Sequence, residues 1–462
     1  MKRDTKQMYA TMPPWRLFFV VALPGMISML AMSIYIIIEG AFIGQVIGEQ
    51  ALAAVNIAFP IIMINFSLSD LIGVGAAVPI SVALGRRDEK SANNLFSCAL
   101  VMIFAVSVIM GAIMIVAAEP LAVFMSAEGE LIPICARYIR IYAIFSPITA
   151  IFFATDNFLK ISGFVKTSMI INIFCNVATV GLLVTFLLVA KMDVTGSALA
   201  SCIAMATCSF ITLIPFICGR ALLKFTRPRF SWNAIRQIIF FGAPVFLNNI
   251  AGRLTAILIN NALMTLGASQ LGENGGVTAV AAYSVLMYAV EICRPLMYGM
   301  SDSLAPSIGF NWGAGRRDRV KSIARCNYIG SLVLGFVSTA LVFIFSRQVA
   351  LIFVDSGDEA LLALSEHALR LFCISFLFLW FIVTTQSLLS AIEKPLAATV
   401  LSVSLALFFP AASLFAMRGM GLDGVWLNYP VTCALSCLLG AVLLLLLKLK
   451  RKGKQPEGGT TA

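Results

Sequence analysis

Long apolar runs are the feature that most limits what this chain can fold into. Runs of 20 or more mainly apolar residues recur along its whole length and are separated by short polar breaks. A run of that length crosses the hydrocarbon core of a bilayer as a helix. Because no water reaches that core, each backbone N–H and C=O must find a partner inside the protein, which excludes open strands there. The sequence therefore predicts an all-α membrane protein.

Twelve membrane-spanning helices are predicted, numbered here as spans 1 to 12. Only 12% of the residues are charged, about half the share usual in soluble proteins, so little of the chain is solvated surface. The first run is too long for the core of a cleaved signal peptide and is predicted to remain as span 1. The predicted spans cover residues 16–45, 51–84, 92–118, 131–160, 166–190, 196–219, 234–266, 278–313, 320–346, 360–392, 395–417 and 423–448.

Basic residues are concentrated in alternate loops. If the N-terminus is cytoplasmic, the inner segments contain 25 of the 33 lysines and arginines, and the outer loops contain only Lys191, Arg347 and Arg418. This asymmetry follows the positive-inside rule, and a missed or extra span would destroy it. We therefore predict a multi-pass protein of the plasma (inner) membrane with both termini cytoplasmic. Topology accounts for the net charge of +11, so we expect no nucleic-acid partner.

An internal repeat divides the chain into two halves. Gly85-Arg-Arg-Asp88 at the end of span 2 recurs as Gly315-Arg-Arg-Asp318 at the end of span 8, 230 residues later. Each half has six spans, an even number, so the halves are predicted to be parallel repeats related by an axis along the membrane normal. The predicted domains are an N-lobe of helices 1–6 at 1–225, a C-lobe of helices 7–12 at 226–452, and a disordered cytoplasmic tail at 453–462.

Two repeated features have structural interpretations. Pro24 and Pro244 occupy corresponding places in spans 1 and 7, which predicts a matched bend in each half. The Gly-Arg-Arg-Asp motifs are expected to be topology anchors and caps for the following helices.

Charged residues inside spans are costly and are candidates for function. Glu39 lies in span 1 with no basic residue near it in sequence, and such a carboxylate is suited to binding and releasing a proton. Tyr35 lies one turn away and can donate a hydrogen bond to it. Asn172 and Asn176 share a face of span 5 and could complete a polar pocket. The alternatives are that Glu39 lies in water near the outer mouth and that the asparagines join helices.

Three further acids are predicted to line a substrate cavity: Asp70, Glu291 and Asp302. For Glu291 the alternative is an ion pair with Arg294, three residues later on the same helix. For Asp70 and Asp302 the alternative is burial in pairs. Asp156, near the inner end of span 4, could be solvated. Four acids against two arginines at depth favour a cationic cargo or a coupling cation.

Enzymatic chemistry is not indicated. The sequence has no nucleotide-binding loop, no Gly-x-Ser-x-Gly and no His-Glu-x-x-His, so neither ATP use nor hydrolysis is expected. Its 11 cysteines contain no Cys-x-x-Cys pair, and His367 has no ligand partners near it in sequence. We expect no metal site and no bound cofactor, only a transported proton or sodium ion.

Three motifs resemble the multidrug and toxic compound extrusion (MATE) family. They are Pro306-Ser-Ile-Gly-Phe-Asn-Trp-Gly-Ala-Gly-Arg-Arg-Asp-Arg319, then Glu39-Gly-Ala-Phe-Ile-Gly44 with Ala51-Leu-Ala-Ala54, and Gly421-Leu-Asp-Gly-Val-Trp426. The resemblance covers essentially the whole chain. It implies two six-helix lobes around a cleft and a secondary antiporter that exports cationic or amphipathic drugs by alternating access, driven by proton or sodium entry.

The resemblance also implies a coupling-ion pocket. One bacterial branch of the family uses an aspartate on span 1 and another on span 5, and the matching positions here are Glu39 and Asn176. Tyr35, Asn172 and Ser201 are expected nearby. An amide replaces the second acid, which leaves proton and sodium coupling both open. Another branch uses acids inside spans 7 and 10; here span 7 has none, and Glu366 is the one acid within 360–392.

The alternative function is a flippase or exporter of a lipid-linked precursor. That activity favours a basic cavity and often more than twelve spans, which fits this sequence less well. The expected partners are therefore small organic cations and the lipid bilayer, and the expected state is a monomer.

Overall fold

A computed structural model describes residues 8–125, 127, 129–272, 274–354 and 358–452. The predicted tail at 453–462 lies outside the described residues. Within them the chain is almost entirely helical, and twelve helices are long and apolar enough to cross a bilayer. These spans are Pro14–Gly40, Ala53–Gly85, Glu89–Val116, Leu131–Ile161, Val165–Val189, Val194–Ile217, Trp232–Leu271, Gly275–Gly313, Arg317–Ile344, Glu359–Ala391, Pro395–Ala416 and Leu422–Lys448.

The all-α fold with twelve spans is confirmed. Each predicted span overlaps the observed one, and most ends agree within three residues. The largest differences are at the ends of spans 1 and 7. Span 1 ends at Gly40, although its helix continues to Val46, next to the predicted end at 45, and span 7 extends to Leu271, beyond the predicted end at 266. Apolar composition identifies a helix that crosses the bilayer but does not mark where it ends in water, so the extension of span 7 was not predicted.

Local sequence explains where helices begin and bend. Asp88 caps span 3 by accepting a hydrogen bond from the Ser91 N–H at 3.0 Å, as predicted for the first Gly-Arg-Arg-Asp motif. Asp193 and Asp358 cap spans 6 and 10 in the same way. Pro24 lies inside span 1 and Pro244 inside span 7, where each removes a backbone hydrogen bond.

Matching irregularities appear in the two halves. A short helix, Ala118–Phe124, follows span 3, and another, Ser346–Leu351, follows span 9. A π-helical turn ends span 5 at Thr185–Val189, and another interrupts span 11 at Ser404–Phe408. Because spans 3 and 9, and spans 5 and 11, are six apart, these features support the six-helix repeat. The composition of these segments did not predict the short helices or the π-helical turns.

Packing groups the described residues into two compact units. The first contains residues up to Ile250, together with Glu291–Asn327 and Ser390–Pro395. The second contains Ala251–Val290, Tyr328–Leu389 and the chain from Leu396 onward. The boundary between these units differs from the boundary between sequence halves, because segments of spans 7, 8 and 9 pack within the first unit. The lobes predicted at 1–225 and 226–452 were defined by the sequence repeat and not by packing, so they stay a prediction.

Glycines allow spans 1, 2, 7 and 8 to pack closely within the first unit. A Cβ on Gly85 would strike the Phe310 carbonyl oxygen, and a Cβ on Gly313 would strike that of Val82. Span 2 therefore crosses span 8 near the Gly-Arg-Arg-Asp ends of both helices. Gly25 meets span 8 at Ser303 in the same manner, and the glycine before Ala243-Pro244 meets Leu71 of span 2. Small residues permit such close backbone contact between membrane helices.

Residues 8–12, called the N-terminal clasp below, join both sequence halves within the first unit. Tyr9 is 2% exposed, and its hydroxyl donates a hydrogen bond of 2.5 Å to the Lys160 carbonyl at the end of span 4. The Tyr9 carbonyl accepts from Asn311 Nδ2 of span 8 and from Arg319 Nε of span 9, both at 2.9 Å. Burial raises the pKa of the Tyr9 hydroxyl above its ordinary value of 10.0, so the group remains a donor into the alkaline range.

Candidate functional site

Glu39 lies among hydroxyl groups from span 6. Its Oε1 accepts a hydrogen bond from Ser201 Oγ at 3.1 Å and a longer one from Ser197 Oγ at 3.4 Å. These serines are four residues apart, so they share one helix face, and both are at most 3% exposed. The Tyr35 hydroxyl is 3.1 Å from Ser201 Oγ. The structure therefore brings Glu39, Tyr35 and Ser201 together, and it adds Ser197, which the sequence analysis had missed.

Aromatic and apolar side chains surround Glu39 and the hydroxyl groups that contact it. Tyr138 and Tyr142 of span 4 lie close enough to interact electrostatically with Glu39, and their rings are 5.2 Å apart between centroids. Both rings belong to a buried core that also contains Ile43. In the part of the chain that the structure describes, no lysine or arginine forms an ion pair with Glu39. The carboxyl group is thus surrounded by hydroxyl donors rather than by a compensating cation.

A second polar group surrounds Asp156. Its Oδ1 accepts hydrogen bonds from Ser168 Oγ at 2.5 Å and from Asn172 Nδ2 at 2.7 Å. Its Oδ2 lies 2.7 Å from Lys160 Nζ, and the Asp156 and Lys160 side chains are only 15% and 10% exposed. The sequence analysis placed Asn172 beside Glu39 and left Asp156 in solvent. The structure instead shows that Asn172 donates a hydrogen bond to a buried Asp156. The four-residue spacing of Asp156 and Lys160 could have revealed that Asp156 is paired rather than solvated.

Asn176 lies one turn beyond Asn172 on span 5 and is half-buried. Among the described residues its side chain makes no hydrogen bond, whereas Asn172 makes two. The structure therefore does not join Asn176 to the carboxyl group of Glu39. Its role in a coupling-ion site stays a prediction.

The three acids proposed for a substrate cavity have different surroundings. Asp70 of span 2 interacts electrostatically with Asp156 and Lys160, and span 2 packs against span 4 where Gly73 faces Ala154. Glu291 forms an ion pair of 2.5 Å with Arg294, which is the alternative that its spacing had suggested. The Asp302 side chain is exposed. Neither Glu291 nor Asp302 is among the charged neighbours of Asp70.

The lone histidine has a partner that its sequence position did not reveal. His367 Nε2 lies 2.8 Å from Asp423 Oδ1, at the start of span 12. Within the described residues, no group of three or more histidine, cysteine or acidic side chains is arranged to hold a metal ion. The pair therefore provides one link between two segments of the second unit.

Two curated relatives match nearly the full chain. It is 24% identical over 457 residues to "Multidrug export protein MepA" of Staphylococcus aureus strain NCTC 8325, covering 97% of both proteins. It is 25% identical over 449 residues to "Probable multidrug resistance protein YoeA" of Bacillus subtilis strain 168, covering 92% of both.

Solved structures with the same fold include "Outward-facing conformation of a multidrug resistance MATE family transporter of the MOP superfamily". That structure has a TM-score of 0.88 at 20% identity, over 96% of this chain and 98% of the other. "Crystal structure of MATE in the straight conformation" has a TM-score of 0.89 at 19% identity, over 97% and 99%. The family model MatE matches residues 24–187 and 251–412, which is most of the chain and includes both sequence halves. The chain therefore belongs to the MATE family of membrane transporters.

Proposed function

We propose that this protein exports drug-like organic cations and amphipathic molecules across the bacterial inner membrane by antiport with protons. The observation that carries this proposal is a carboxyl group in span 1, Glu39, that faces hydroxyl donors and no compensating cation. Ionisable groups at membrane depth are conserved by function rather than by stability, since they are costly. Support for the cargo comes from relatives named as a multidrug export protein and a probable multidrug resistance protein.

Protonation of Glu39 would rearrange the hydrogen bonds between spans 1 and 6. An ionised carboxylate only accepts, so Ser201 donates to Glu39 and can in turn accept from Tyr35. A protonated carboxyl group can also donate a hydrogen bond. Glu39 could then donate to Ser201 and Ser201 to Tyr35, which reverses the direction of both hydrogen bonds. The protonation state of one residue is thereby linked to the contact between two helices, as antiport requires of a coupling group.

A proton fits this pocket better than a sodium ion. Proton binding needs one acceptor, which the carboxyl group supplies. A hard metal cation needs several oxygen ligands around it. Here the Ser197 and Ser201 hydroxyls both donate to the same Glu39 oxygen, and the second family acid is replaced by Asn176, whose side chain makes no hydrogen bond to Glu39 among the described residues. The experiment below distinguishes proton coupling from sodium coupling.

The cargo preference follows from the charges around Asp70. Asp70 and Asp156 are two carboxylates that share one ammonium group, Lys160, as their charged neighbour. The three charges leave an excess of one negative charge when both acids are ionised. A partly exposed Asp70 would therefore attract an organic cation more strongly than an anion. We propose that Asp70 takes part in cargo recognition.

We also propose that both chain termini lie on the cytoplasmic side and that the transporting unit is the monomer.

Transport in proteoliposomes tests the proposal. Ethidium efflux is measured with a proton gradient or a sodium gradient imposed separately, for the wild type, Glu39→Gln and Glu119→Gln. Glu119 is a matched surface control, because its side chain is 59% exposed and pairs with Arg140. We expect proton-driven efflux to fall at least tenfold in Glu39→Gln and to remain unchanged in Glu119→Gln.

Two results would contradict this proposal. Efflux driven by sodium alone would replace the proton with sodium as the coupling ion. Wild-type rates for Glu39→Gln would remove Glu39 from the coupling step.

A further inference from the structure

The segment that joins spans 6 and 7 is a basic strip at the ends of three helices. It contains Arg220, Lys224, Arg227 and Arg229, and no acidic residue occurs anywhere between Cys218 and Phe240. All four basic side chains are exposed. Among the described residues none of the four forms an ion pair. The positive-inside rule accounts for basic residues in this loop, but four exposed bases without ion-pair partners also form a surface that can bind anions.

Span 3 holds the backbone of this strip in place. Asn93 Oδ1 accepts from the Lys224 N–H at 2.9 Å, and Ser97 Oγ accepts from the Thr226 N–H at 3.0 Å. Asn94 contacts Arg229 twice, since its Oδ1 accepts from the N–H at 2.8 Å and its Nδ2 donates to the carbonyl at 3.1 Å. Four hydrogen bonds therefore fix the positions from which the basic side chains extend.

Apolar contacts add to this attachment. Ala221 and Leu223 are completely buried, and the Phe225 ring lies 5.3 Å from that of Phe96 between centroids. A connecting segment built in this way is not a free tether. Its lysine and arginine side chains are presented from a fixed backbone, which lowers the entropy lost when they bind a ligand.

Exposed aromatic side chains accompany the charges. Phe225 and Phe230 are each 49% exposed, and Trp232 at the start of span 7 is 76% exposed. Tryptophan favours the boundary between lipid tails and water, and exposed Phe rings beside it can be buried among acyl chains. The strip follows the end of span 6, precedes the start of span 7 and lies on the first turns of span 3, so it is at the level of the bilayer surface.

We propose that this strip, residues 220–232, is a binding site for the headgroups of anionic phospholipids. The phosphate and the net negative charge of the headgroup complement the four bases, and the aromatic rings contact the upper acyl chains. Each basic residue near an anionic membrane surface contributes on the order of a fivefold gain in affinity. The inference is independent of the coupling ion, because it involves neither Glu39 nor Asp70.

Lipid binding to the full-length protein in neutral detergent tests this proposal. Delipidated protein is titrated with dioleoylphosphatidylglycerol or dioleoylphosphatidylcholine, and bound lipid is counted by native mass spectrometry. Lys224→Gln/Arg227→Gln removes two bases of the strip. Lys191→Gln/Arg418→Gln is the matched control. It removes two bases from loops at the other end of the helices, between spans 5 and 6 and between spans 11 and 12. We expect about a thirtyfold loss of phosphatidylglycerol affinity in the first variant, and less than a twofold change in the control.

A third variant separates a built site from diffuse attraction. Asn94→Ala keeps every charge but removes two of the four hydrogen bonds that fix the strip. We expect a several-fold loss of phosphatidylglycerol affinity in this variant. Unchanged affinity in either Lys224→Gln/Arg227→Gln or Asn94→Ala would overturn the proposal. Equal binding of phosphatidylcholine, or full competition by millimolar inorganic phosphate, would also overturn it, since the site would then not recognise an anionic lipid.

Discussion

The buried ion pair between Asp156 and Lys160 leads to a stability prediction. Lys160→Met keeps an unbranched side chain of similar length and removes the charge. Asp156 would then be a 15% exposed carboxylate without its cation, next to a second carboxylate, Asp70. Removing one partner of a buried pair costs about 3–5 kcal/mol. Because Ser168 and Asn172 still donate to Asp156, we expect a loss of about 3 kcal/mol, at the lower end of that range.

A second substitution identifies the cause of that loss. Asp156→Asn removes the charge that Lys160→Met leaves behind, so the double variant should be more stable than Lys160→Met alone. The two changes should therefore be non-additive, with a coupling of about 2 kcal/mol in a double-mutant cycle. Additive losses would mean that the two residues stabilise the protein separately rather than as a pair.

Unfolding in mixed micelles can be followed through the cysteines. Nine of the eleven cysteines are buried, so a thiol-reactive dye labels them when the helices separate. The free energy of unfolding is read from titrations of the wild type, both single variants and the double variant. Wild-type stability for Lys160→Met would refute the reasoning, because an uncompensated buried carboxylate could not then be costly at this position.

Two further predictions concern the first packing unit. Gly313→Val places a side chain against the Val82 carbonyl, so it should separate span 2 from span 8. We expect the free energy of unfolding to fall by about 1–3 kcal/mol and efflux to decrease. Gly252→Val is the control, because nothing lies within 4 Å of the new Cβ. Equal stability of these two variants would contradict the close contact. Tyr9→Phe removes the hydrogen bond to the Lys160 carbonyl and should cost about 1 kcal/mol in the same unfolding assay. Because the folded-state pKa of Tyr9 is raised above its ordinary value of 10.0, this contribution is complete below that pH and is lost as the pH rises through the folded-state pKa. A difference between wild type and Tyr9→Phe that grew with alkaline pH would contradict it.

The number and order of the spans could be predicted from the sequence because each run is long enough to be a helix in its own right. Loop charge then tested the count independently. The short helix Ala118–Phe124 and the π-turns could not be predicted, since their apolar composition resembles that of the adjoining spans. The repeat was visible through two short motifs, and matching irregularities in the structure extend it to spans whose sequences have diverged.

Only part of the candidate site could be predicted. Tyr35 and Glu39 are one turn apart on one helix, and helical period alone brings them together. Asn172 was assigned to Glu39, yet it contacts Asp156, because a period shows which face of span 5 is polar but not which helix lies opposite. Ser197 was missed for the same reason. Its neighbour Ser201 entered only through family resemblance, and helical spacing from Ser201 would have found it.

The N-terminal clasp has a consequence for the order of assembly during synthesis. Tyr9 leaves the ribosome early, but its partners Asn311 and Arg319 follow 302 and 310 residues later. At about 5–20 residues per second, translation of that interval takes roughly 15–60 s. During this time the Tyr9 carbonyl must be hydrated or held by other partners. Docking of the clasp therefore comes after the start of span 9 has emerged, which makes residues 8–12 among the last to reach their native position.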